Sequence, residues 1–102
     1  MKNPNPLERD IEKAVCAYAK TLGILHYKFT SPARRSVPDR LMINCNGVVF
    51  FAEFKRLGQK PTAGQEVEIE KIRAQNVVVL IIDNVESGKR VIQEMAWRDP
   101  AF

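Results

Sequence analysis

Val37-Pro38-Asp39-Arg40-Leu41-Met42-Ile43-Asn44-Cys45-Asn46-Gly47-Val48-Val49-Phe50-Phe51-Ala52-Glu53-Phe54-Lys55 reads as two strands joined by a tight turn, and its reading decides the fold. An acid follows the proline that opens the first strand. An acid and a lysine spaced Glu-x-Lys close the second, which is otherwise apolar. Ionised groups among so many apolar neighbours cost several kcal/mol unless they are paired or hold a metal. We read this set as holding one.

The turn settles which face each acid takes. A two-residue loop at Asn46-Gly47 sets Asp39 opposite Phe54, so that Asp39 and Glu53 point to opposite faces and no site forms. Asn44-Cys45-Asn46-Gly47 instead fits a type I turn, with Asn first and a left-handed Gly fourth in a bulge. That three-residue loop pairs Asn44 with Val48 and, by the same count, Asp39 with Glu53, on one face together with Lys55. Both faces of the second strand are apolar, which predicts a central strand covered on both sides.

C-terminal to this hairpin, residues 56–61 form a short loop, and Thr62 opens a helix with Gln65 three residues on, a capping box. Gln65, Ile69 and Ile72 share one stripe, so Gln65 is expected to look into the site. The helix should stop near Gln75, with Asn76 supplying a left-handed exit. Val77 to Ile82 is an unbroken apolar run, as expected of a buried strand reached by a helical crossover, right-handed if the two strands are parallel. Asn84 to Trp97 reads as a last helix, weakened by Gly88. Trp97 and Phe102 end the chain as aromatics that dock on the core or on a partner.

N-terminal to the hairpin, Asn5-Pro6 followed by Leu7, Ile11, Val15, Tyr18 and Leu22 predicts a helix from about Pro6 to Leu22, stopped by Gly23. Glu8 and Glu12 border its apolar stripe one turn apart. Glu8 also stands in the capping-box relation to Asn5, whereas Glu12 has no such role. Ile24 to Thr30 alternates as a strand, and residues 31–36 form a basic loop carrying Arg34 and Arg35. That arginine pair suits phosphate contact as well as plain solvation.

The chain of 102 residues suits a single domain spanning 1–102, with no repeat, linker or low-complexity tract. No apolar run reaches membrane-spanning length and the start lacks a signal-peptide core, which points to the cytoplasm, the host cell's if the protein is viral. Cys16 and Cys45 lack metal or redox spacing and read as free thiols. With His26 the one histidine, hydrolytic chemistry has to come from carboxylates. Residues 1–60 carry eleven Lys/Arg against five Asp/Glu, whereas residues 61–102 carry five against seven. The basic excess sits with the site, around Lys28, Arg34, Arg35, Arg40, Lys55, Arg56 and Lys60, so a polyanion is the natural partner.

Asp39, Glu53-Phe54-Lys55 and a preceding helix glutamate match the PD-(D/E)xK nuclease pattern. The wider arrangement, Pro38-Asp39-Arg40, Phe51 to Lys55, then Gly58 and Gln65, resembles its VRR-NUC branch, over roughly Glu8 to Asp83. The resemblance implies an α/β, restriction-endonuclease-like core in α-β-β-β-α-β order, with a mixed central sheet flanked by helices. It implies Asp39 and Glu53 as metal ligands, Lys55 as the catalytic lysine, Gln65 as the family's helix glutamine, and Glu12, or alternatively Glu8, as the helix acid. Ser36 and Asn76 stand where many members carry glycine. Two carboxylates, the Phe54 main-chain carbonyl and waters make the oxygen shell that Mg²⁺ or Mn²⁺ takes. Arg34, Arg35, Arg40, Arg56 and Lys60 are then the DNA-contacting cations. The expected function is a metal-dependent DNA endonuclease, a homodimer acting on Holliday junctions or flaps in replication, recombination or repair. A non-catalytic nucleic-acid-binding module and an interaction subunit docking through Trp97 and Phe102 are the rival readings.

Overall fold

The computed structural model describes residues 6–100, in the order α1 (Glu8–Thr21), β1 (Leu25–Lys28), β2 (Arg40–Ile43), β3 (Val49–Phe54), α2 (Ala63–Arg73), β4 (Val79–Ile82) and α3 (Val85–Ala96). The four strands form one sheet in the order β1-β2-β3-β4. The first three run antiparallel to their neighbours, and β4 lies parallel to β3 after the α2 crossover. This is the mixed α/β architecture that the strand and helix order predicts. Among the described residues no helix is long and apolar enough to cross a membrane.

Pleat alternation divides the sheet into two unlike faces. Met42, Phe50, Ala52, Phe54 and Ile82 point to one side. There they meet Ile11, Val15 and Ala19 of α1 and Ile92, Met95 and Ala96 of α3 in one buried core. Gly88 is where α3 comes closest: a Cβ there would lie 2.7 Å from Ile82 and 2.8 Å from Val15. The glycine that weakens the helix by propensity is what lets it pack.

The other face is only partly covered. Helix α2 packs along β4 and reaches β3 only through Gln65, so Leu25, Tyr27 and Val49 stay 54%, 54% and 42% exposed. Strand β3 is interior to the sheet, as expected, but only its C-terminal half is covered on both sides. The run ending at Ile82, expected as a buried strand, is buried at Val79 and Ile82 but not along its whole length. β4 is the sheet's edge, with Ile81 exposed, because no later strand follows to pair with it.

Local signals explain the element ends. Gly23 leaves α1 at φ 75°, and Asn76 leaves the turn after α2 at φ 64°. Thr62 and Gln65 form both hydrogen bonds of the capping box. Asn84 caps α3 through the Ser87 amide. Helix α1 starts two residues later than expected, after Leu7 and without a side-chain cap. Asn5 and Phe102, assigned to a cap and a docking contact, lie outside the described residues. Trp97 is exposed. Both cysteines are free, Cys16 buried and Cys45 exposed.

The hairpin takes the three-residue register. Ile43 pairs with Val49 and Arg40 with Ala52, and the count continues to Asp39 opposite Glu53. The Gly47 amide donates to the Asn44 carbonyl at 3.1 Å, with Gly47 at φ 79°. The buried Asn44 side chain pins this turn. Its Oδ1 accepts from the Asn46 and Val48 amides, each at 2.9 Å, while its Nδ2 donates to the Met95 and Arg98 carbonyls at 2.8 and 2.9 Å. Asn44→Ala strands both amides and both carbonyls, two of which close the end of α3, and should cost about 3 kcal/mol in urea unfolding. A loss below about 1 kcal/mol would show that water replaces these bonds freely.

Candidate active site

Asp39, Glu53, Lys55 and Gln65 meet on the partly covered face, with Glu8 of α1 close enough to feel the charges of Asp39 and Lys55. Asp39 immediately precedes β2, beyond the buried Pro38. Glu53 lies near the end of β3, and Lys55 follows that strand on the same side. Gln65 comes from the first turn of α2 and Glu8 from the first residue of α1. Asp39 is tied at both ends. Its carbonyl accepts from the Phe29 amide at 2.9 Å, and its Oδ2 accepts from the Phe54 amide at 2.8 Å.

Glu53 is the buried centre, 1% exposed. Its Oε2 accepts from Gln65 Nε2 at 2.8 Å and pairs with Lys55 Nζ at 3.2 Å. Its Oε1 is buried and, among the described residues, has no hydrogen-bond partner. Burial first, and then the charge of Asp39, push the Glu53 carboxyl up to about 7, with Lys55 opposing. Burial also raises Asp39, against the Phe54 amide, which stabilises its ionised form. Two carboxylates opposed across a strand pair, one with an orphaned oxygen, fit a cation with oxygen ligands. Among the described residues no third His, Cys, Asp or Glu closes them into a cage. That suits an ion that keeps several waters.

Gln65 has two roles at once. Its Oε1 accepts from the Thr62 amide at 2.9 Å, closing the capping box, and that bond turns its Nε2 toward Glu53. Ser36, where glycine was noted as usual, abuts the same turn of α2: a Cβ at Gly64 would lie 3.0 Å from its Oγ.

The two helix acids part company. Glu8 is raised by burial and then by Asp39, while Lys55 pulls it down, so its charge is felt at the site. Glu12 Oε2 accepts from Arg40 Nε at 2.6 Å. Arg40 follows Asp39 on β2 and therefore points to the opposite face. The Arg40 side chain, expected to contact DNA, is 17% exposed and paired with Glu12. Arg34 is also engaged, to Glu68 at 2.6 Å, which ties the basic loop to α2. Arg35 and Lys60 are exposed and Arg56 half-buried.

No family model matches the sequence. The chain is 40% identical over 77 residues to "Putative nuclease p44" of Acyrthosiphon pisum secondary endosymbiont phage 1, a match covering 76% of this chain and 83% of that protein. Among solved structures, a VRR_NUC domain superposes with a TM-score of 0.79 at 28% identity, covering 84% of this chain and 94% of that one.

The folded state holds the Glu53 proton more tightly than the unfolded chain, so stability falls as pH rises from 4.5 through about 7. In EDTA, Glu53→Gln removes a charge that costs on the order of 3 kcal/mol once fully ionised. Thermal unfolding at a series of pH values should therefore show the variant gaining on the wild type between pH 5 and pH 8. A constant difference across that range would place the ionised carboxylate in a comfortable environment.

Proposed function

The chain belongs to the VRR-NUC family of nucleases, and from that premise we propose that it is a metal-dependent endonuclease hydrolysing phosphodiester bonds in DNA. The observation that carries this reading is the buried Glu53 carboxylate beside Asp39, with one oxygen held by Gln65 and Lys55 and the other without a partner. Asp39, Glu53 and the Phe54 carbonyl are the proposed metal ligands. Mg²⁺ or Mn²⁺ bound there supplies Lewis-acid polarisation of a phosphodiester oxygen and a water of lowered pKa.

The chain's own residues do the rest. The Lys55 ammonium is proposed to stabilise negative charge developing on the pentacovalent phosphorus and to orient the attacking water. Gln65 holds Glu53 in one rotamer, so the orphaned oxygen stays directed into the site. Glu8, whose titration responds to Asp39 and Lys55, is the proposed helix acid in preference to Glu12, which is spent on Arg40. Arg35, Arg56 and Lys60 are the proposed phosphate contacts at the site.

A homodimer fits the uncovered half of the same sheet face. Leu25, Ile43 and Val49 lie side by side in register, as do Tyr27, Leu41 and Phe51, with no helix over them. A contiguous apolar face of this kind is better buried against a second copy than left in water. Two sites in one particle suit paired cuts in a branched substrate, hence the proposal of Holliday junctions or flaps.

Cleavage of a labelled four-way junction, a flap and a matched linear duplex, in Mg²⁺, Mn²⁺ or EDTA, tests the chemistry. Activity should vanish in EDTA, and Lys55→Ala should lower kcat by about 10²- to 10³-fold. DNA binding without cleavage under either metal would leave a binding module. Light scattering tests the assembly: the wild type should be a dimer at micromolar concentration and Tyr27→Asp a monomer without paired cuts. A wild-type monomer would refute the dimer.

A further inference from the structure

On the face of the sheet away from Glu53, α1 and β1 enclose a concave groove of about 450 Å³. Its walls carry five cations, Arg9, Lys13, Lys20, Lys28 and Arg40, and one carboxylate, Glu12. The sequence spacing explains the convergence. Residues 9, 13 and 20 of a helix share one face. Lys28 of β1 is the register partner of Arg40 on β2, so both side chains reach the same side of the sheet.

Glu12 is consumed by Arg40 at 2.6 Å. Among the described residues, Arg9, Lys13, Lys20 and Lys28 have no carboxylate within ion-pairing distance. Other cations off the groove, among them Arg35, Arg56, Lys60, Lys89 and Arg98, are unpaired too, but only here do four such charges line one concavity among the described residues. Four uncompensated positive charges in one groove, on a chain whose whole formal charge is +4, repel one another and gain nothing for the fold. His26, which also lines the groove, feels that field. Burial first, and then Arg40 and Lys20, hold it below the usual imidazole range.

We propose that this α1–β1 groove is a second nucleic-acid-binding site, taking the phosphate backbone of a substrate arm beyond the bond being cut. From Arg9 to Lys20 the helix advances about 16 Å, the length of about five nucleotide steps at 3.4 Å each. The groove adjoins the cleavage site through two elements: Asp39 directly precedes Arg40 on β2, and Glu8 directly precedes Arg9 on α1. A backbone leaving Asp39 and Glu8 thus meets the cations of α1 next. Contact is to phosphates, so the groove adds length and strand affinity without base preference. The inference rests on the reading of the chain as a DNA nuclease.

The test measures affinity of the full chain for a labelled four-way junction in EDTA across a salt series, beside cleavage in Mg²⁺ and Mn²⁺. Three proteins are compared: wild type, Lys13→Gln/Lys20→Gln/Lys28→Gln, and the control Lys71→Gln/Lys89→Gln/Arg90→Gln, which removes equal charge off the groove. Circular dichroism verifies that each is folded. The groove variant should lose roughly tenfold or more in affinity at moderate salt, with a log–log salt slope shallower by about 2.7, while the control stays near wild type. Equal losses in both variants, or none in either, overturn the groove. If the wild type cuts DNA and the groove variant keeps its slope, the groove falls and the nuclease stands. If binding depends on the groove but no metal supports cutting, the groove stands and the nuclease falls. A wild type without DNA affinity at low salt removes both.

Discussion

The count of residues in one turn is the constraint on which the candidate site depends. Because side chains alternate along a strand, one residue more or fewer between β2 and β3 would send Asp39 and Glu53 to opposite faces. Turn chemistry selects the count, since Asn44 and a left-handed Gly47 close a three-residue loop. Tertiary structure then locks it. The Asn44 amide spends its acceptor oxygen on the turn and both donors on the end of α3, so slipping the register would break a buried network as well as a ladder.

Holding Glu53 in place is costly, and the fold meets that cost from several sides. The carboxylate is all but excluded from water and faces Asp39, two effects that both disfavour its charge. Gln65 and Lys55 offset part of this at one oxygen, and the other oxygen has no partner among the described residues. Gln65 can do so because the capping box has already fixed its rotamer. The bond that starts α2 therefore also aims the site. A protein optimised for stability alone would carry glutamine or an apolar residue at position 53.

The sheet separates the chemistry from the charge that surrounds it. Asp39 and Arg40 are neighbours in sequence and sit on opposite faces, one in the carboxylate site and the other under α1. The Arg40–Glu12 pair buries the one acid of the α1–β1 groove and leaves the remaining cations unbalanced. On the far side, Arg34 and Lys71 both turn to Glu68, so the cations around α2 are largely neutralised. Formal charge is thus a poor guide to potential here, and pairing decides where a polyanion would be drawn.

Much of the fold was legible in the chain because it rests on local backbone chemistry. The turn at Asn44–Gly47, the Thr62–Gln65 capping box and the left-handed exits at Gly23 and Asn76 each involve residues a few positions apart, whose preferences survive in any context. The opposition of Asp39 and Glu53 follows from the turn type at Asn44–Gly47 together with strand parity. Other features needed the assembled molecule. Glu8 and Glu12 stand one turn apart on α1, and only the packing of that helix over Arg40 ties Glu12 into an ion pair while leaving Glu8 within the field of Asp39 and Lys55. The apolar run of β4 reads as a buried strand, yet strand order makes it an edge and leaves Ile81 exposed. Arg9, Lys13 and Lys20 of α1 form a basic groove only because the sheet brings Lys28 and Arg40 across to them. Turn type, caps and alternation are set by neighbours along the chain. Which charges meet, and which remain unpaired, is set by contacts between residues far apart in sequence, and only the tertiary structure decides those.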